Sequence, residues 1–187
     1  MQHKPYASVP EHDFSTLQID KLQQDFFHAG CVIVRDAIET SRLEEMRQKF
    51  CELFRVILSH KNKEHHHLPD DIDVLHEAAI AAMGEQSQYL LTIGKDITSF
   101  SGLVSSQKLM QVMEKLYRTS LIQTISDSNV FRIDRPFHDL TILDWHQDYP
   151  YNMLTRNAAT VWAPIMPVTQ EMGRLRVVIP HPDILPI

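Results

Sequence analysis

The sequence predicts an α+β fold, with helices first and a β-sandwich or jelly roll after them. Three observations carry this expectation. Apolar residues recur at helical intervals up to about residue 120. From Leu121 onward they form short runs, "LIQTI", "NVFRI", "LTILDWH", "ATVWAPI" and "LRVVI", separated by Pro, Asp and Gly. Seven of the ten prolines lie at or after Pro136, where a helical chain would not tolerate them. Short strands at close spacing read as a closed or double-layered β structure, with the helices covering one face.

Taken in order, the first helix is predicted over Thr16–Ala29. Leu17, Leu22, Phe26 and Phe27 make its apolar stripe, Ser15 is its N-cap and Gly30 its stop. "CVIVR" (Cys31–Arg35) reads as a short buried strand. A second helix spans about Ser41–Ser59: Ser41 and Glu44 have the capping-box spacing, and Leu43, Met46, Phe50, Leu53, Phe54 and Ile57 repeat at helical intervals. "KNKEHHHLPDD" (Lys61–Asp71) is a polar loop. Helical stretches follow over Ile72–Thr92 and Gln107–Ser120, the latter with a stripe of Leu109, Met110, Met113 and Leu116.

Composition bounds the function. The chain has 187 residues, 43% of them apolar, and its mean hydropathy is slightly negative, as in a folded globular domain rather than a disordered one. The formal charge is −6 and no basic block stands out, which argues against a nucleic-acid partner. No apolar run reaches bilayer length, and the first residues carry no secretory pattern. Cys31 and Cys51 lack metal or redox spacing, so they read as reduced thiols of a cytoplasmic protein.

The chemistry concentrates in "DWHQDYPYN" (Asp144–Asn152). On an extended backbone, residues i and i+2 point to one face with their Cα atoms about 6.5–7 Å apart. An imidazole from His146 and a carboxylate from Asp148 can therefore converge on one metal ion. With one further histidine they would make the facial triad of non-haem Fe(II) oxygenases. The alternative is structural: Asp148 capping a turn before Pro150, His146 an ordinary histidine, and Trp145, Tyr149 and Tyr151 packing. His65–His67 read as a solvated surface loop, because consecutive residues cannot all face one ion. Asp134, Arg135 and Asp139 read as a surface charge cluster.

The order of segments adds to this. "WHQDY" (Trp145–Tyr149) is followed by "TVWAPI" (Thr160–Ile165) and "EMGRLRVVIP" (Glu171–Pro180), and preceded by "FFHAGCVIVRDAI" (Phe26–Ile38). This arrangement resembles the phytanoyl-CoA dioxygenase family of Fe(II)/2-oxoglutarate-dependent oxygenases, over nearly the whole chain. The resemblance implies a double-stranded β-helix (jelly roll) with N-terminal helices, forming one domain over residues 1–187. It implies Fe(II) and 2-oxoglutarate as cofactors and hydroxylation of a small organic substrate. His146 and Asp148 match the first two iron ligands, Trp162 matches a position lining the 2-oxoglutarate pocket, and Phe131 and Arg132 lie on the strand entering that pocket. The family's third ligand is a histidine many tens of residues further on, followed by an arginine for the cosubstrate's far carboxylate. His181 corresponds to a non-ligand histidine, and Arg174 and Arg176 precede the arginine's place. The expectation is thus a domain incomplete at its C-terminus, without the third ligand. The rival expectation is a non-catalytic binding module keeping the fold. An incomplete sheet would leave Arg174–Ile179 as an exposed edge open to homodimerisation.

Overall fold

The structure, a computed structural model, describes residues 8–61, 64, 66–125, 128–134, 145–148 and 157–179. They fall into two compact units, one drawn from 1–39, 106–123 and 168–187, the other from 40–105 and 124–167.

The first unit opens with strand β1 (Glu11–Asp13), a 3-10 turn (Phe14–Thr16) and helix α1 (Ile19–Ala29). The chain turns at Gly30, whose φ of 74° is left-handed and whose N–H reaches Phe26 O at 2.8 Å. A side chain there would meet the left-handed penalty of roughly 1–2 kcal/mol, so glycine ends the helix as expected. Strand β2 (Ile33–Arg35) then pairs with β1 in parallel, Glu11 opposite Ile33 and Asp13 opposite Arg35. Arg35 closes this pair with a two-pronged contact to Glu11, both bonds 3.1 Å. His12, buried between its exposed neighbours, sets its Nε2 3.1 Å from Asp25 Oδ2 on α1.

Helix α6 (Gln107–Tyr117) belongs to the same unit. Its Val112 and Leu116 bury against Leu22, with Phe14, Leu17, Phe26, Val32 and Val34 packed around them. Gln23 donates to Leu116 O at 2.8 Å, satisfying a carbonyl that the helix end leaves open. Arg118 caps α6 in the left-handed region, φ 51°, although it is not glycine. Its guanidinium bonds Gln23 Oε1 at 2.7 Å and pairs with Asp20.

The second unit is built on helix α2 (Thr40–His60). Met46, Phe50, Phe54 and Leu58, four residues apart, form its buried stripe. That stripe faces helix α3 (Ile72–Met83) through Ile72, Leu75 and Ala79, with α5 (Thr98–Val104) on the same helix. Asp71 starts α3 by accepting the N–H groups of Asp73 and Val74 at 3.0 and 3.1 Å. A 3-10 stretch (Gly84–Tyr89) leads into α4 (Leu90–Lys95). A Cβ on Gly94 would lie 2.7 Å from Phe50 Cε1, so the ring and the helix approach here only because residue 94 has no side chain. Arg55 ties the 68–70 segment down, bonding Leu68 O at 2.8 Å and Asp70 Oδ1 at 2.7 Å. On the outer face of α2, Arg47 and Gln48 hold the Glu44 carboxyl down to about 2. Burial raises the Cys51 thiol above its ordinary value, and likewise that of Cys31; both are free cysteines.

The helices stand close to where periodicity puts them, with three revisions. Asp13, not Ser15, makes the first cap: its carboxylate accepts Ser15 N at 2.8 Å, and α1 proper starts only at Ile19. The predicted Ile72–Thr92 helix breaks at Gly84, which adopts φ 57°. Helix α5 was not anticipated; its seven residues are too short to show a period.

The β half is a correction. The described residues are mostly helical, and the only sheet among them is the two-stranded β1–β2 pair; no double-stranded β-helix is seen. The described residues of all five predicted runs, 121–125, 129–133, 145–146, 159–165 and 175–179, carry no strand. A β-type run becomes a strand only when a neighbour takes up its N–H and C=O groups, and these runs have no ladder partner among the described residues. Leu121, Val130, Val161, Leu175, Val177 and Val178 are instead exposed. Residues 140–144 of "LTILDWH" lie outside the described residues. No described helix is long and apolar enough to cross a membrane.

Candidate functional site

The short segment 145–148 runs without regular secondary structure. Even so, the two side chains singled out by their spacing meet. His146 Nε2 stands 3.2 Å from Asp148 Oδ1. The i, i+2 relation puts both on one side of the backbone without a paired strand to align them. Their side chains are 36% and 35% exposed, so the pair opens to solvent rather than into the interior of a sandwich. Trp145 beside them is 63% exposed. An imidazole nitrogen and a carboxylate oxygen at this distance can share a proton as an ion pair, or offer two adjacent donors to one cation.

The residues expected around the cosubstrate are placed differently from one another. Phe131 is buried in the core of the second unit, its ring stacked on Phe50 at 3.7 Å between centroids and 18° between planes. That face of the ring is taken up by packing. Arg132 sets Nη2 2.9 Å from Asp134 Oδ1. Trp162 is 52% exposed. Asp134, read as part of a charge cluster, is thus joined to Arg132; Arg135 and Asp139 lie outside the described residues. His66 and His67 are exposed, as a solvated loop requires, and His65 lies outside the described residues. His181, Tyr149 and Tyr151 also lie outside them.

Among the described residues no group of three or more His, Cys, Asp or Glu side chains converges to hold a metal ion. The described residues therefore fit an Fe(II) centre in two donors and do not among themselves complete its three-donor face. Among the described residues, Arg132 is engaged by Asp134, and Arg174 bonds Gln170 at 3.3 Å. Sequence reasoning passed over His12. Its partner Asp25 lies on a different element, and no local spacing rule joins a residue on a strand to one on the following helix.

No known protein family, curated protein or solved structure matches the chain.

Proposed function

We propose that the chain is an Fe(II)/2-oxoglutarate-dependent oxygenase of the phytanoyl-CoA dioxygenase type, acting on a small organic substrate, with His146 and Asp148 as two of the iron's ligands. The observation that carries the reading is the contact between His146 Nε2 and Asp148 Oδ1 inside the W-H-Q-D-Y stretch. Iron and 2-oxoglutarate would supply the oxygen chemistry, and this chain's residues would hold the ion on one side and leave the other open. Trp162, exposed and apolar, is the residue present that best suits a wall for the cosubstrate. Phe131 supports the site only through the core. The absence of a transmembrane helix among the described residues and the two free thiols favour a cytoplasmic enzyme.

Anaerobic titration with Fe(II) and 2-oxoglutarate tests this. The expected result is a weak visible charge-transfer band that saturates with iron. In His146→Ala the apparent affinity for iron falls by at least about tenfold, roughly 1.4 kcal/mol for the lost donor. Iron binding unchanged in both His146→Ala and Asp148→Ala would overturn the assignment.

A donor set of two among the described residues also suits a second reading, a non-catalytic interaction module. Its contact surface would be the exposed Leu175, Val177 and Val178 run, through which two copies would associate. Absence of succinate from the iron-loaded chain, together with dimers that Val177→Asp dissolves, would favour this reading over the first.

A further inference from the structure

We draw no further inference here: the strongest candidate, the surface groove at the start of α1 lined by Leu17, Gln18, Ile19, Asp20, Lys21 and Arg118, is a helix N-terminus whose two cations are already paired within the chain, Arg118 with Asp20 and Lys21 with Asp25, and nothing in the structure points to a ligand there.

Discussion

Phe50→Ala is expected to destabilise the second unit by about 3–5 kcal/mol, the range for emptying a buried aromatic site. Phe50 is 1% exposed and is held on several sides: one face by the Phe131 ring at 3.7 Å, an edge by Phe54 at 6.0 Å between centroids, and its tip by the backbone at Gly94. Removing the ring leaves a cavity that these neighbours cannot easily fill, because Gly94 has no side chain to move in and Phe131 would lose its stacking partner. For a chain of this length about 2–4 °C of melting temperature is lost per kcal/mol, so the change is large in a thermal scan. Loss of less than about 1 kcal/mol in urea or thermal unfolding would mean the site collapses or the ring is not packed as described. The same logic bears on Phe131. If its role is packing, Phe131→Ala lowers stability in the absence of any cosubstrate; if it lined a cosubstrate pocket, the loss would appear mainly in 2-oxoglutarate affinity.

Leu22→Ala is expected to cost about 2–5 kcal/mol in the first unit. Leu22 is fully buried, and its side chain is the point on α1 against which Val112 and Leu116 of α6 close. The polar contacts flanking it, from Gln23 to Leu116 O and from Arg118 to Gln23 and Asp20, are exposed or only part-buried, and exposed pairs contribute little. They cannot hold α1 to α6 once the leucine is cut back. Hydrogen exchange locates the effect: amides of α1 and α6 should lose protection while those of α2 and α3 keep theirs. Uniform loss across both sets, or none in α1, would contradict the packing.

Why the helices were legible and the β half was not follows from how each is stabilised. Met46, Phe50, Phe54 and Leu58 announce α2 because a helix makes its hydrogen bonds within itself, and the sequence need only show which side is buried. "NVFRI" and "LRVVI" have strand-like composition, but a strand depends on a neighbour elsewhere in the chain, which composition does not reveal. The same distinction divides the candidate site. His146 and Asp148 meet because two residues of one short segment need only local geometry to do so. The packing of Phe131 was not legible because an apolar residue in a β-type run suits a pocket wall and a core equally, and its stacking partner, Phe50, lies far away in sequence. A third donor is a non-local feature of the same kind.

The contacts of Arg42 with Gly102 O at 3.3 Å, and of Ser99 with Glu45 at 2.7 Å, have a bearing on the order of folding. The first unit is discontinuous: α1 and α6 must find each other across residues 40–105. Were that stretch an open coil, closing it would carry the entropy of a long loop. These contacts join the beginning of α2 to α5, so once α2, α3 and α5 have condensed, the two ends of the stretch are tethered near one another. Replacing a coil of that length by a link of a few residues lowers the closure cost by about 2 kcal/mol. On a ribosome, α1 emerges well before α6, with only its near neighbours in sequence, among them Phe14, Val32 and Val34, to pack beside Leu22. The Leu22 face is therefore expected to stay partly uncovered until the middle segment has been made and Val112 and Leu116 of α6 can close on it.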